Sequence, residues 1–175
     1  MNLLIDRPPE TVKIGDTDYE INSDFRISVL FELLMQDDDV PDSRKVARAF
    51  ELYFPEFPSD EDPVEIFKAI AWFYRCGRGD KEQKSERSGE GNEVRPRSYS
   101  FDYDDEYIYA AFRQQYGIDL VGIDYLHWWE FRAMFKALDE KCAFVKIMGY
   151  RTTKITSEMS NTEKAFLRRM KRIHA

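Results

Sequence analysis

The sequence DYLHWWEFRAMFKAL, residues 124–138, is the stretch that most strongly indicates the fold. Its apolar residues recur at helical spacing and together cover most of the circumference of one helix: Leu126, Trp128, Trp129, Phe131, Met134, Phe135 and Leu138. A helix that is apolar almost all round is buried inside a protein, whereas a surface helix has one polar face. The stretch therefore predicts a central helix that begins at about Asp124.

Narrower apolar stripes on both sides of this stretch predict further helices. Before it, such stripes follow the cap residues Asn22–Asp24, Pro41, the Asp62–Glu65 capping sequence and the acidic run Asp102–Glu106; after it, they precede Gly149 and follow the Ser160–Glu163 capping box. A cap oxygen followed three residues later by glutamate satisfies the first free backbone N–H groups of a helix, and proline or glycine ends one. The chain is therefore expected to be mainly helical.

Two short segments have the features of strands. Residues 11–21 alternate in polarity around the turn-forming Gly15-Asp16-Thr17-Asp18, which predicts a small β-hairpin that packs on the helix after it. Tyr99-Ser100-Phe101 is a candidate for another short strand. The predicted fold class is thus mainly α: a helical bundle of about six helices with a small N-terminal β-hairpin and a disordered central loop.

The central loop is predicted from composition. Residues 77–97 hold four of the eight glycines among serines and alternating charges, and Val94 is the single aliphatic residue. Such a segment buries too little apolar surface to offset the entropy lost on ordering. We therefore expect an N-terminal hairpin with helices in residues 1–76, a flexible linker in 77–97, and a helical half in 98–175 that shares one core with the first.

The composition limits the classes of protein. The chain has 175 residues, 43% of them hydrophobic and 15% aromatic, enough for an ordinary core. Its net charge of −7 opposes nonspecific attraction to nucleic acid or an anionic membrane. No apolar run approaches the ~18 residues of a membrane span, and the N-terminus lacks a secretion signal. These features predict that the protein is located in the cytoplasm of the host cell, where Cys76 and Cys142 are expected to be reduced core thiols.

The residues that could take part in catalysis or bind a metal do not form an enzyme motif. The chain has two histidines, and His127 is interpreted as a half-exposed residue beside an aromatic core because no second histidine lies one turn away. Asp37–Asp39 and Asp102–Glu106 could hold a hard cation or act as an acid and base, but they fit solvated helix ends better. No phosphate-binding glycine loop or serine elbow is present. We expect no enzymatic activity, no metal and no cofactor.

The C-terminal helix carries the candidate binding residues. Residues 151–175 contain seven lysines and arginines against two glutamates, so the first 150 residues carry a net charge of −12. One face of the final helix is predicted to be apolar and the other basic, the latter formed by Lys164, Arg168, Arg169, Lys171 and Arg172. A solvated charged face, a site for an acidic protein partner and a nucleic-acid site all fit this pattern.

Several strings resemble one known family. They are YSFDYDDEYIYAAFRQQYGIDL at 99–120, DYLHWWEFRAMF at 124–135, IMGYR at 147–151, and the VKIG and INSDFR sequences at 12–15 and 21–26. Together with the basic C-terminus, they are similar to the phage "gene product fifteen" family over nearly the whole chain except the linker. Members of that family are encoded among the tail genes of long-tailed phages and prophages of Gram-positive bacteria.

The resemblance implies a tail-assembly chaperone, which coats the long tape-measure protein and keeps it soluble until tail-tube subunits polymerise around it. It brings no catalytic residues. The partners expected are therefore the tape-measure protein or other tail proteins, with self-association into a homo-oligomer as an additional expectation. Nucleic acid and membrane are not expected as partners. The alternatives are a nucleic-acid-binding phage regulator that uses the basic C-terminal helix and a minor structural component of the tail.

Overall fold

The computed structural model describes residues 2–78 and 98–174, which form one two-stranded hairpin and seven helices. The strands are β1 (Thr11–Ile14) and β2 (Thr17–Glu20); the helices are α1 (Phe25–Gln36), α2 (Asp42–Tyr53), α3 (Pro63–Tyr74), α4 (Asp105–Tyr116), α5 (Trp128–Lys136), α6 (Ala143–Thr152) and α7 (Asn161–Ile173). The predicted mainly helical class and the N-terminal hairpin are confirmed. The predicted linker lies outside the described residues, apart from Gly77 and Arg78.

The described residues divide into two compact units. The first unit contains residues 2–78 and 124–134, and the second contains residues 98–123 and 135–174. The hairpin, α1, α2 and α3 belong to the first unit, together with most of α5. The second unit contains α4, α6 and α7.

The hairpin of the first unit packs on α3, so the prediction that it packs on the next helix along the chain, α1, is wrong. Its strands pair antiparallel with Val12 opposite Tyr19 and Ile14 opposite Thr17, and Gly15 turns the chain with a φ of +58°. Val12 and Ile14 are each 2% exposed, as the alternation of polarity predicts. The Tyr19 hydroxyl donates to the Glu61 carboxylate at 2.9 Å. Apolar burial on one face thus supplies the stability that two strands lack alone.

Aromatic side chains fill the core between α1, α2 and α3. The Phe31 ring contacts the rings of Tyr53 and Tyr74 at centroid distances of 5.3 and 5.2 Å. The hydroxyls of Ser28 and Tyr53, both fully buried, share a hydrogen bond of 2.8 Å. Because the two hydroxyls are partners of each other, neither is left as a buried polar group without a hydrogen bond.

The segment before α5 is paired through backbone hydrogen bonds with the segment at the start of α1. Asp24 caps α1 by accepting the N–H of Arg26, and its carboxylate also accepts the N–H of Leu126 at 3.2 Å. The Phe25 N–H donates to the Leu126 carbonyl, and the Trp128 N–H donates to the Ser23 carbonyl. The predicted start of this helix at about Asp124 is therefore wrong, because residues 126–128 use their backbone groups across to 23–25 and α5 begins at Trp128.

Two indole groups cover the end of α3. The last carbonyls of a helix have no partner within the helix. Trp128 Nε1 donates to the Tyr74 carbonyl and Trp129 Nε1 donates to the Phe73 carbonyl, each at 2.8 Å. Both rings are buried, with exposures of 0% and 3%. The aromatic pair of α5 therefore serves the core of the first unit and also caps the C-terminus of α3.

The chain leaves α3 through a Schellman motif. The Cys76 N–H donates to the Phe73 carbonyl and the Gly77 N–H donates to the Trp72 carbonyl. Cys76 occupies the left-handed position with a φ of +58°, and Gly77 follows at +71°. A Cβ on Gly77 would lie 3.0 Å from the Trp129 ring. A non-glycine residue thus occupies the position that glycine usually fills in this motif.

We expect Cys76→Gly to raise the free energy of unfolding by about 0.5–1 kcal/mol. The change removes the energetic penalty that a side chain has at a left-handed φ, and the extra backbone entropy that glycine loses on folding offsets part of this gain. Gly77→Ala should act in the opposite direction, because its new methyl would meet both the strained φ and the Trp129 ring. Urea unfolding of the two variants beside the unchanged chain measures both effects. A destabilised Cys76→Gly would show that the thiol packing outweighs the strain.

The second unit has its own aromatic cluster. Tyr99 contacts Phe101 and Phe135 at centroid distances of 5.2 and 5.0 Å, and Phe135 contacts Phe144 at 5.3 Å. Ile108, Phe112 and Ile147 are buried as well. The prediction of a short strand at Tyr99–Phe101 is wrong. The Ser100 hydroxyl accepts the N–H groups of the following residues and the Ser100 N–H donates to Asp104, so the chain forms a turn into α4.

Neither cysteine is in a disulfide. Both are half-buried, so the prediction that they lie in the core is wrong. Cys76 lies two residues after the end of α3, and Cys142 directly precedes α6.

Candidate protein-binding surface

The helix α7 begins as its capping box predicts. The Ser160 hydroxyl accepts the Glu163 N–H at 3.2 Å, and the Glu163 carboxylate accepts the Ser160 N–H at 2.8 Å. The hydrogen bonds from the Ser160 side chain and backbone lower the pKa of Glu163. An anion at this end also complements the helix dipole. Local sequence therefore starts α7 without help from tertiary packing.

The apolar face of α7 is incompletely covered. Phe166, Leu167, Met170 and Ile173 lie on one side of the helix, and no residue of α7 is buried. Phe166 is 49% exposed and Ile173 is 55% exposed, although the Phe166 ring contacts the Tyr150 ring of α6. An amphipathic helix normally buries its apolar stripe. This helix instead presents part of its stripe to solvent beside its cations.

The five cations predicted to bind a partner lie on the other side of α7, but they are not equally available. Lys164 Nζ donates to the Ser157 carbonyl at 3.0 Å, and Lys171 Nζ donates to the Arg151 carbonyl at 2.7 Å. Arg168, Arg169 and Arg172 are exposed and make no hydrogen bond or ion pair within the described part of the chain. The structure therefore leaves three arginines for a partner and uses both lysines internally.

Arg151 holds the C-terminal end of α7 to the rest of the second unit. Its guanidinium donates to both oxygens of Asp104, at 2.5 and 2.9 Å, and its Nε donates to the His174 carbonyl at 2.5 Å. A third contact reaches the Ser98 carbonyl at 3.4 Å. One side chain on α6 thus connects the start of α4 with the end of α7.

Asp104 is the buried half of this ion pair, at 1% exposure. Burial acts to raise the pKa of its carboxyl, but the hydrogen bonds from Arg151 and from the Ser100 N–H outweigh burial and lower that pKa. The prediction that the acids at 102–106 are solvated is therefore wrong for Asp104, although Asp102, Asp105 and Glu106 are exposed. Asp37, Asp38 and Asp39 are exposed as predicted.

The sequence analysis did not predict the roles of Asp104 and Arg151. Asp104 and Arg151 are 47 positions apart, and no local pattern relates them. Asp104 lies in a run of acids that fits a helix N-terminus, and Arg151 lies in the basic end of the chain, where it counts as one more cation. Only the packing of α6 against α4 brings them together.

His127 has a structural place in the first unit. It is 3% exposed, so its prediction as a half-exposed residue is wrong. Its Nδ1 accepts the Trp129 N–H at 3.0 Å, which places the proton on Nε2, and Nε2 donates to the Pro9 carbonyl at 3.0 Å. Both ring nitrogens are thus engaged by backbone groups. Within residues 2–78 and 98–174, no group of three histidine, cysteine or acidic side chains could hold a metal ion.

We expect the fold to lose stability as His127 becomes protonated. Burial lowers the pKa of His127 below its ordinary value of 6.5, so the unfolded chain takes up the proton first. The contribution is complete above that value and is lost as the pH falls through 6.5 towards the lower folded pKa. The free energy of unfolding, measured in urea between about pH 8 and pH 5, checks this. His127→Asn should flatten the slope; an unchanged slope in this variant would contradict the assignment.

A family model places the chain among known sequences. The model described as "Bacteriophage Gp15 protein" matches residues 4–175, essentially the whole chain. The chain belongs to this bacteriophage Gp15 family. No curated protein and no solved structure matches it significantly. Among the described residues of this family member, no helix is long and apolar enough to cross a membrane.

The strings that indicated the Gp15 family have structural roles in this chain. The Gln115 side-chain amide donates to the Ala137 carbonyl and accepts the Asp139 N–H, at 2.9 and 2.7 Å. Gly117 ends α4 with a φ of +69°, and Asp119 accepts the N–H groups of Val121 and Gly122. Together with the indole caps at 128 and 129, these contacts show that the residues of the family-resembling strings form caps, turns and core.

Proposed function

We propose that this member of the bacteriophage Gp15 family is a non-enzymatic tail-assembly chaperone that binds the tape-measure protein before the tail tube polymerises, in the cytoplasm of the bacterial host. The family membership supports a phage role, and the resemblance implies the tail-assembly role. The observation that carries the proposal is α7, where exposed cations lie beside a half-exposed apolar stripe.

The chemistry of α7 suits a helical client. A helix that lays its apolar face against another helix buries side chains at intervals of three and four residues, and Phe166, Met170 and Ile173 have that spacing. Arg169 lies beside the stripe, three residues after Phe166 and four before Ile173, so an acidic residue beside the client's apolar stripe would pair with it. An acidic amphipathic helix of a long client is therefore the partner that fits both halves of the surface.

The test is coexpression of the tape-measure protein with three forms of this chain. We expect the unchanged chain to keep the client in the soluble fraction and to co-purify with it. The charge reversal R168E/R169E/R172E should weaken co-purification by at least about tenfold, because acidic residues of the client would then face like charges. The control R44E/R48E/K141E reverses three other exposed cations and changes the net charge equally.

Two results would refute the proposal. In the first, the soluble fraction of the tape-measure protein is the same with and without this chain. In the second, the two charge reversals weaken co-purification equally, which would mean that overall charge, and not the surface of α7, attracts the client. Ile173→Ser tests the apolar half separately, because this side chain is more than half exposed and its replacement leaves the core intact.

A nucleic-acid-binding regulator is the second candidate, favoured by the exposure of Arg168, Arg169 and Arg172 without partners within the described residues. The net charge of −7 opposes it. Phosphate contacts would make affinity for a DNA fragment fall steeply with salt, and the same charge reversal would remove that dependence. Salt-independent or absent DNA binding would leave the chaperone role as the better proposal.

A further inference from the structure

Two adjacent residues near the end of α6 hold the helix α7 in place. The Tyr150 ring contacts the Phe166 ring of α7 and the ring of His174, which follows α7, at centroid distances of 5.7 and 6.3 Å. The neighbouring Arg151 donates from Nε to the His174 carbonyl at 2.5 Å, and its own carbonyl accepts Lys171 Nζ at 2.7 Å. These contacts reach both ends of the apolar stripe of α7.

Burial contributes little to this attachment. No residue of α7 is buried, whereas α4 in the same unit buries Ile108, Ala111 and Phe112, each at 4% exposure or less. Most of the stability of a helix in a protein comes from the packing of its apolar face. A region with few buried apolar contacts opens at a lower free energy than the core of the same protein. We therefore expect α7 to open while α4 stays folded.

Opening of α7 leaves no buried charge without a partner. Arg151 keeps both of its hydrogen bonds to the buried carboxylate of Asp104, because neither residue belongs to α7. The capping box of Ser160 and Glu163 also stays intact, since both residues move with the helix. The connection at 153–160 contains no helix, no strand and no buried residue. The chain can therefore release α7 without breaking the core of the second unit.

The closed position of α7 covers part of the stripe that the proposed client would contact. Leu167 and Met170 are half-buried, and the Phe166 ring lies against Tyr150. In the open position the whole stripe is accessible together, with Arg169 beside it. An opened α7 thus offers a larger apolar surface to a partner helix than the closed one.

We propose that α7 opens from α6 as a unit and that its closed position is an autoinhibitory contact. Tyr150 and Arg151 hold α7 closed, and the client binds the open form. The part of this inference that names the client rests on the proposed function. The opening itself is a property of the free protein.

Hydrogen exchange of the full chain without client tests the opening. We expect the amides of residues 167–173 to exchange with one common opening constant, at least about tenfold larger than that of the α4 amides. Tyr150→Ala should raise the opening constant of α7 by about tenfold, because the closed form loses two ring contacts. A gradient of exchange rates along α7 from Ile173 back to Leu167 would overturn the proposal, since it would indicate fraying and not opening as a unit.

Ile108→Val is the matched control for the exchange experiment. It removes one methylene from the buried face of α4 and should accelerate the α4 amides by about threefold to tenfold. The α7 amides should keep their rates, because α4 stays folded when α7 opens. Equal acceleration of both helices by Ile108→Val would mean that α7 opens only when the whole unit unfolds, which overturns the proposal.

The affinity for a soluble fragment of the tape-measure protein tests the autoinhibition. A ligand that binds only a minor form gains affinity in proportion to the population of that form. Tyr150→Ala should therefore tighten binding by up to about tenfold, and Ile108→Val should leave it unchanged. If Tyr150→Ala raises the opening constant but not the affinity, the autoinhibition is refuted while the chaperone role stands. If no form of the chain binds the fragment, the proposed function and the autoinhibition both fail.

Discussion

Arg151→Met is expected to lower the free energy of unfolding by about 3–5 kcal/mol, because it leaves the buried carboxylate of Asp104 without its cation. The double variant R151M/D104L should recover most of that loss, since an apolar pair has no charge to compensate. Urea unfolding of both variants and of the unchanged chain measures the coupling between the two sites. The exposed pair Arg113–Asp119, whose atoms are 3.8 Å apart, is the control, and Arg113→Met should cost less than about 1 kcal/mol.

The pH dependence separates an ion pair from simple packing. The pKa of Asp104 is lowered in the folded chain, so the pair contributes above the ordinary carboxyl value of 3.8 and its contribution is lost as the pH falls through the folded pKa. In Arg151→Met, the carboxyl can be buried as its neutral form once it is protonated. The stability curves of the two proteins should therefore converge in acid. Parallel curves would mean that Arg151 acts through its apolar stem alone.

Trp128→Ala is expected to destabilise the protein by about 3–5 kcal/mol through loss of a fully buried ring. The ring stacks on Tyr74 and Phe131, with the Arg132 guanidinium 5.3 Å from its centroid. Trp128→Phe keeps most of the ring but removes the donor to the Tyr74 carbonyl, and should cost about 1–3 kcal/mol. Thermal and urea unfolding give both values.

Trp72→Phe is the matched control for the indole cap. Trp72 lies on α3, is 42% exposed, and its indole N–H donates to no group among residues 2–78 and 98–174. The same chemical change there should alter stability by no more than about 0.5 kcal/mol. If Trp72→Phe and Trp128→Phe cost the same, the indole donors do not stabilise the end of α3.

Prediction from sequence succeeded where neighbouring residues settle the structure. The capping box at Ser160 and Glu163 starts α7 by contacts three residues apart, and Asp62 accepts the Val64 N–H at the start of α3. The hairpin follows from alternation around Gly15. Caps and turns are closed by groups only a few residues apart, so the information for them is local.

The candidate surface was predicted only in part. Five cations on one helix were apparent from spacing, but spacing could not show that Lys164 and Lys171 donate to backbone carbonyls while three arginines stay exposed.

The sequence alone was enough to predict the mainly helical class, the hairpin, the start of α3 and α7 and the resemblance to the Gp15 family, because periodicity, caps and characteristic strings are local properties of a chain. Tertiary structure alone decided that Asp104 and His127 are buried, that residues 126–128 pair with 23–25 before α5 begins, and that the indoles of Trp128 and Trp129 cap α3. Each of these depends on a partner distant in sequence. A polar group is stable in the interior only when such a partner meets it there.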